Sequence, residues 1–194
     1  MTIELKSSVL EQLSDDEFMT FSSENRDLRI ERTADGQILI DMPTYSKTGE
    51  INSEVNRQLA NWNKKTKLGR VFDSSSGFAL TNTAMRAADA AWISHQNWNA
   101  LAEADKNKFA RICPDFVIEI KSETDYLPNV KEKIQHDWMD TGCQLAWLID
   151  PETETVFVYR ADGTISKITG FDQNLSGENV LPGFELEMAE LRSA

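Results

Sequence analysis

The feature that most constrains the fold is an apolar run at residues 116–120 that carries one carboxylate, Glu119. Alternate side chains of a strand share a face, so Glu119 and the following Lys121 point to one side of a sheet and the large apolar side chains point to the other. A carboxylate in such surroundings costs free energy unless a cation or hydrogen bonds compensate it. The run therefore predicts an inner strand with a chemically unusual face.

Helical and strand patterns alternate along the rest of the chain. A second apolar run at 145–149 predicts another inner strand, and the helix expected between the two runs has Val130, Ile134 and Trp138 on one side. In the first half of the chain we expect a short helix opened by a capping box at Ser14–Glu17, a hairpin of 28–32 and 38–42, a helix over 50–67, and strands at 71–72, 78–80 and 89–94. In the second half we expect a polar stretch with some helix at 95–107, a strand at 116–121, a helix over 129–140, a strand at 145–149, a hairpin of 155–160 and 164–168, and a mostly irregular tail. This order predicts a mixed α/β (α+β) fold in which helices flank a central mixed β-sheet, in a single domain over residues 1–194.

Composition limits the possible functions. The formal net charge of −12 repels nucleic acid on average, which counts against a DNA-binding protein, although binding depends on the local field of a groove. The two cysteines, Cys113 and Cys143, are too few for a disulfide framework and lie at no zinc-finger spacing. The amino-terminal sequence lacks a signal-peptide pattern, and no stretch approaches the roughly 20 apolar residues of a membrane span. We therefore expect a cytoplasmic protein with reduced thiols.

The polar pair on the strand at 116–121 suits phosphodiester hydrolysis. Glu119 offers the oxygen ligands that Mg²⁺ prefers, and Lys121 can orient an attacking water and offset charge on a phosphate. One carboxylate does not make a metal site, so a second is expected from an earlier strand, and Asp89 opens one. Taken alone, Glu119 and Lys121 fit an ordinary surface ion pair equally well.

Several spaced motifs together resemble a known family. Asp89, thirty residues before Glu119-Ile120-Lys121, resembles the pattern of the PD-(D/E)XK nuclease superfamily. More narrowly, the runs at 86–93 and 114–120 are similar to those of the Uma-type restriction endonucleases. The pattern of that family continues with a lysine, an aromatic, a glycine and a strand ending in Asp-Pro, which are found here as Lys133, Trp138, Gly142 and Asp150-Pro151. Ala88 stands where the family has proline, and Trp138 stands where it often has tyrosine.

The resemblance implies a restriction-endonuclease-like core and a Mg²⁺- or Mn²⁺-dependent endonuclease acting on DNA. It implies Asp89 and Glu119 as metal ligands, aided by the backbone carbonyl of Ile120 and by Glu54 from an early helix. Lys121 is the implied catalytic lysine, but Lys133 takes that role in members that lack it, and this chain has both. The resemblance also implies a homodimer and products with 5′-phosphate and 3′-hydroxyl ends.

Alternatives remain at this stage. A basic run, formed by Lys64, Lys65, Lys67 and Arg70, is a candidate DNA contact, yet cations also gather at helix C-termini because of the helix dipole. The net charge and Ala88 favour a second hypothesis, a nuclease-like fold without activity that serves in binding or assembly. A glycosidase with paired carboxylates is a third hypothesis, and it gives Lys121 no role.

Overall fold

The computed structural model describes residues 2–192. Its strands, in chain order, are β1 Thr2–Leu5, β2 Arg29–Arg32, β3 Ile38–Asp41, β4 Gly69–Asp73, β5 Gly77–Ala79, β6 Met85–Ala87, β7 Ala90–Ser94, β8 Phe116–Ile120, β9 Leu145–Asp150, β10 Thr155–Arg160, β11 Ile165–Thr169, β12 Asn174–Ser176 and β13 Glu185–Glu187. Its helices are α1 Asp15–Glu24, α2 Ser46–Thr66, α3 His95–Ala100, α4 Glu103–Lys106 and α5 Leu127–Glu132, and α5 runs on into a π-helix over Lys133–Trp138 and a 3-10 turn over Met139–Thr141. Two further 3-10 turns cover Leu10–Gln12 and Met188–Leu191.

A six-stranded mixed sheet forms the centre of the molecule. Its spatial order is β11-β10-β9-β8-β7-β4, and only β8 and β9 pair in parallel within the residues that the structure describes. Parallel neighbours need a crossover, and α5 with the π-helix supplies it. The sheet and its flanking helices confirm the mixed α/β fold expected from the order of elements.

A second, five-stranded antiparallel sheet has the order β1-β3-β2-β6-β5. It places β2 beside β6, although more than fifty residues separate them in the chain. From β6 the chain passes through Ala88 and Asp89 into β7 of the central sheet. Asp89 therefore stands where the chain leaves one sheet and enters the other.

Two apolar cores cover the two faces of the central sheet. Helix α2 packs its stripe of Ile51, Val55 and Leu59 on one face, against the side chains of β8 that include Phe116 and Ile118. On the other face, where Glu119 lies, the π-helix contributes Ile134 and Trp138 to the second core. The alternation predicted for the strand at 116–121 is confirmed, and β8 is buried along its whole length.

Several elements differ from the expectation. The helix over 129–140 starts at Leu127 and widens into a π-helix from Lys133, which a 3.6-residue periodicity does not show. Strands β1, β6, β12 and β13 are short segments in which apolar alternation spans too few residues to stand out. The capping box of α1 is confirmed, with Ser14 accepting from the Glu17 N–H and the Glu17 carboxylate accepting from the Ser14 N–H. No helix in residues 2–192 is long and apolar enough to cross a membrane.

Candidate active site

Glu119 is buried on the face of the central sheet that the π-helix covers. Its Oε1 accepts a hydrogen bond of 2.7 Å from the indole N–H of Trp138. The Lys133 ammonium lies 3.0 Å from Oε1 and 3.2 Å from Oε2. Burial raises the pKa of Glu119 to about 7; the Lys133 charge opposes the rise, and the charges of Asp89 and Glu31 add to it. The strand thus presents a carboxyl group that titrates near neutral pH.

Asp89 meets the same strand at its carboxyl end. Its Oδ2 accepts the backbone N–H of Ile120 at 2.7 Å, and its Oδ1 accepts from the Asn52 amide at 3.0 Å. A second amide on α2, that of Asn56, donates to the Asp89 carbonyl at 2.9 Å. Burial raises the pKa of Asp89, and the Ile120 N–H works against that rise. The structure therefore brings Asp89 against the residue that follows Glu119.

Lys133, at the first position of the π-helix, is the lysine at this site. Besides Glu119, its ammonium contacts the Ala87 carbonyl at 2.9 Å and Glu31 Oε1 at 3.4 Å. Burial lowers the pKa of Lys133, but the charges of Glu119 and Glu31 raise it further, so that it ends above the usual range of lysine. Lys133 is accordingly a fixed ammonium at neutral pH.

Sequence reasoning missed three charged residues that complete the cluster. Glu31, on β2, bonds Arg86 of β6 at 2.9 Å, and Arg86 bonds Asp137 of the π-helix at 2.6 Å. All three are buried. A weak signal existed, since polar and apolar residues alternate around Ile30 in this short strand, but four residues do not reveal which face of the strand is covered. We call Asp89, Glu119, Lys133, Glu31, Arg86 and Asp137 the polar cluster.

Lys121 lies outside the polar cluster. Its ammonium is 3.2 Å from Glu152 Oε2 and 3.8 Å from Asp150 Oδ1, and among residues 2–192 these are its carboxylate partners. That Asp150 oxygen is buried and accepts no hydrogen bond from the described part of the chain. Strand β8 ends at Ile120, one residue before Lys121, and the Lys121 ammonium lies near Asp150, the last residue of β9, and Glu152.

Glu54 is also placed elsewhere. Its carboxylate pairs with Arg57 and accepts from the Gln58 amide, and Gln58 in turn bonds the backbone of Glu187. The residues of α2 that face the polar cluster are asparagines, Asn52 and Asn56. The expected helix is present, but Glu54 lies two residues from both Asn52 and Asn56 and therefore on a different side of the helix. The structure does not bring Glu54 to Asp89.

The basic run is distant from the polar cluster. Lys64 and Lys65 are exposed in the last turn of α2, and Lys67 follows in a left-handed conformation that ends the helix. At 1.5 Å per residue, Lys64 lies about 12 Å along the helix from Asn56. Arg70 stacks over Trp98, 5.4 Å from its ring centroid. The structure thus does not bring the run together with Asp89 and Glu119.

Comparison with known proteins bears on this arrangement. A family model described as "Uma2: Putative restriction endonuclease" matches residues 15–189. The chain belongs to the Uma2 family. No curated protein matches the sequence. Among solved structures, the fold is similar to that of a "putative nuclease belonging to DUF820 from Anabaena variabilis", with a TM-score of 0.72 and 23% identity over 92% of this chain and 97% of that chain.

The donor chemistry of this Uma2 protein fits a divalent cation. Among the residues that the structure describes, no three acidic, histidine or cysteine side chains form a ready-made metal group. Mg²⁺, however, usually takes one or two carboxylates and keeps several waters, which Asp89 and Glu119 can satisfy. When fully ionised, the polar cluster has four carboxylates and two cationic side chains, an excess of two negative charges. One divalent cation would offset that excess.

Proposed function

We propose that this protein is a Mg²⁺-dependent DNA endonuclease that hydrolyses phosphodiester bonds at the polar cluster. The observation that carries the proposal is the buried Glu119, which meets a fixed ammonium at 3.0 Å and has Asp89 bonded to the next residue of its strand. Membership of the Uma2 family supports a nuclease, and restriction-endonuclease-like proteins generally use divalent metal ions. Mn²⁺ is expected to replace Mg²⁺.

Asp89 and Glu119 would hold the cation, with the Ile120 carbonyl as a further oxygen ligand. A bound divalent cation offsets the negative charge that grows on a phosphate under attack. Trp138 fixes the Glu119 carboxylate through its 2.7 Å hydrogen bond. Asn52 and the Ile120 N–H fix the Asp89 carboxylate in the same way. The chain thereby holds both acids in place before substrate arrives, which electrostatic catalysis requires.

Lys133, rather than Lys121, is the catalytic lysine in this proposal. Its ammonium touches Glu119, whereas that of Lys121 is held by Asp150 and Glu152. Because the pKa of Lys133 is raised, it stays protonated at neutral pH. It therefore orients the attacking water and stabilises charge on the phosphate as a hydrogen-bond donor, and does not act as the base.

DNA reaches the site past Arg29 in this proposal. Arg29 is exposed and shares a strand face with Glu31, two residues along β2. Its charge acts on the carboxyl group of Asp89, so it lies near that end of the cluster. Its charge also lowers the pKa of Asp73, and an exposed guanidinium can bind a phosphate through paired hydrogen bonds. A cation beside the site would attract a phosphate locally, although the net charge of −12 repels DNA on average.

Cleavage of supercoiled DNA tests the proposal. We expect nicking by the wild-type protein in Mg²⁺ or Mn²⁺, none in a chelator, and a loss of at least about 100-fold in Glu119→Gln. Glu132→Gln, which removes an exposed carboxylate on the same crossover helix, is the matched control and should cleave at the wild-type rate. Cleavage that survives Glu119→Gln in a pure preparation would show that the assignment is wrong.

The alternative is a nuclease-like fold that binds or assembles without cutting. One feature of the polar cluster favours this alternative. Lys133 and Trp138 already bond the Glu119 carboxylate, so its burial is compensated without a metal ion. It predicts no Mn²⁺ uptake and no salt-sensitive association with DNA. A homodimer, which cutting two strands would suit, is a further proposal, and a monomer mass by light scattering across concentrations would refute it.

A further inference from the structure

The turn between β5 and β6 carries Asn82 to the π-helix. The Asn82 amide donates to the His136 carbonyl at 3.0 Å and to Asp137 Oδ1 at 3.2 Å. Trp138, the next residue of the helix, donates its indole N–H to Glu119. We propose that Asn82 is a positioning residue, which fixes the end of the π-helix so that the Trp138 indole reaches the Glu119 carboxylate. The inference deepens the proposed function and rests on it for the effect on cleavage.

The end of the π-helix is held by side chains. Three consecutive carbonyls, those of His136, Asp137 and Trp138, accept from the side chains of Asn82, Thr141 and Cys113 in that order. The last carbonyls of a helix lack partners in a following turn, so such donors help to decide where its final turns settle. A π-helix is a rare element, and a side chain that inserts into the ladder of main-chain hydrogen bonds is a known cause of a distorted turn. Among these three donors, Asn82 is the one that the five-stranded sheet supplies.

The turn holds the Asn82 side chain in one orientation. Its Oδ1 accepts the Ala84 N–H at 3.1 Å, which leaves its amide nitrogen facing the π-helix. Thr83 has a φ of 73°, a left-handed conformation that is strained for a β-branched residue. Arg32 donates to the Thr83 carbonyl at 2.7 Å, and the Thr83 hydroxyl donates to the Ala34 carbonyl at 3.0 Å. Because such strain persists only where surrounding contacts enforce it, the sheet presents the Asn82 amide to the helix in a fixed position.

The width of the helical turn decides whether Trp138 meets Glu119. Residues five apart come together on a π-helix but not on an α-helix, and Trp138 follows Lys133 by five residues. Without the Asn82 amide, the His136 carbonyl can take a main-chain partner in an α-helical turn. Trp138 would then rotate relative to Lys133, and its indole would leave the carboxylate.

Hydrogen exchange of the Trp138 indole proton, followed by NMR in the metal-free protein, tests the inference without reference to activity. In Asn82→Ala we expect this proton to exchange at least about tenfold faster than in the wild-type protein, because its hydrogen bond to a charged group is lost. The indole proton of Trp62 bonds the Pro182 carbonyl in the core on the other face of the sheet, and it should exchange at the wild-type rate. An unchanged rate at Trp138, or an equal acceleration at Trp62, would overturn the inference.

A double-mutant cycle on single-turnover cleavage gives a second measurement. Asn82→Ala should slow cleavage by about tenfold in the wild-type background and by less than about twofold in Trp138→Phe, where no indole remains to be positioned. Equal losses in the two backgrounds would overturn the inference, because a purely structural role acts on both. Thr81→Ala, which changes an exposed side chain of the same turn, is the matched control and should cleave at the wild-type rate.

A second variant keeps the test decisive if Asn82→Ala fails to fold. Asn82→Ser retains an oxygen that can accept the Ala84 N–H but lacks the amide donor, and the same outcomes are expected of it in both measurements. A wild-type protein that does not cleave DNA would contradict the proposed function, and the exchange rates would then decide this inference. Wild-type cleavage combined with unchanged exchange at Trp138 would remove this inference alone.

Discussion

At Glu119, burial acts against ionisation and the surrounding donors act for it. The pKa of about 7 lies above the usual 4.5 of a glutamate, so the folded protein holds this proton over a pH range in which the unfolded chain has lost it. The contribution of Glu119 to the stability of the metal-free protein therefore falls as pH rises from about 4.5 through 7. The loss is on the order of 3 kcal/mol, from 1.36 kcal/mol per pKa unit.

Comparison with Glu119→Gln tests this effect, because glutamine does not titrate and the groups that do not interact with Glu119 cancel in the difference. We expect the stability gap between the metal-free wild-type protein and the variant to shift in favour of the variant as pH rises from 5 to 8. Urea unfolding at a series of pH values measures it. A gap that stays constant over this range would contradict the raised pKa.

The two lysines give a second prediction at the level of single residues. Lys133→Met should lower kcat by about 100-fold or more, because removing one positioned donor that stabilises developing charge typically costs about 100- to 1000-fold. Lys121→Met should lower kcat by less than about tenfold, since its ammonium bonds Glu152 and lies 3.8 Å from Asp150 instead of contacting Glu119. Single-turnover cleavage measures both. A larger loss in Lys121→Met than in Lys133→Met would return Lys121 to the catalytic role.

Among the elements, the π-helix has the strongest effect on the site. Lys133 and Trp138 both reach Glu119, although they are five residues apart. On an α-helix, residues three and four apart are neighbours, whereas a π-helix closes its hydrogen bond at the fifth residue. The wider turn thus places both donors over one carboxylate. The sequence motif contains both Lys133 and Trp138, but their spacing alone implied an α-helix and did not show that both reach Glu119.

Trp138→Phe tests the role of this element. The variant keeps an aromatic ring in the core and removes the 2.7 Å hydrogen bond to Glu119. A hydrogen bond to a charged group contributes about 1.5–3 kcal/mol, so we expect cleavage to slow by about 10- to 100-fold with the fold retained. Circular dichroism and single-turnover kinetics are the measurements. Wild-type kinetics in a folded Trp138→Phe would show that Glu119 needs no such support.

Strong local patterns made some elements predictable. The buried strand β8, with Glu119 facing away from Ile118, followed from alternation, and the capping box of α1 followed from Ser14 and Glu17. The residues that complete the polar cluster could not be predicted in this way. Glu31 meets Arg86 only because β2 pairs with β6 across more than fifty residues of sequence, and a single sequence carries no register for such a pairing.

For the whole molecule, the polar cluster joins the two large sheets. Glu31 and Arg86 come from the five-stranded sheet, Glu119 comes from the central sheet, and Lys133 comes from the crossover helix. We therefore propose that the chain unfolds as one domain. Scanning calorimetry should show a single transition with equal calorimetric and van't Hoff enthalpies. Two resolved transitions would contradict the single domain predicted over residues 1–194.

DNA binding by so acidic a chain depends on where its exposed cations lie. Arg29→Gln should weaken binding and reduce the slope of log K against log salt by about one phosphate contact. Arg26→Gln, three residues earlier and also exposed, is the matched control and should leave the slope unchanged. Replacing Lys64, Lys65 and Lys67 with glutamine tests the basic run, and a reduction of the slope there instead of at Arg29 would place the DNA at the far end of α2.

The central claim is that Asp89 and Glu119 hold a divalent cation together. Anomalous scattering from crystals soaked in Mn²⁺ tests it most directly, because the signal locates the ion without reference to activity. We predict one strong peak within about 2–2.5 Å of an oxygen of each carboxylate, absent in Asp89→Asn. A soaked crystal with no peak between these residues, or with the ion bound elsewhere and Lys133 still paired with Glu119, would contradict the claim.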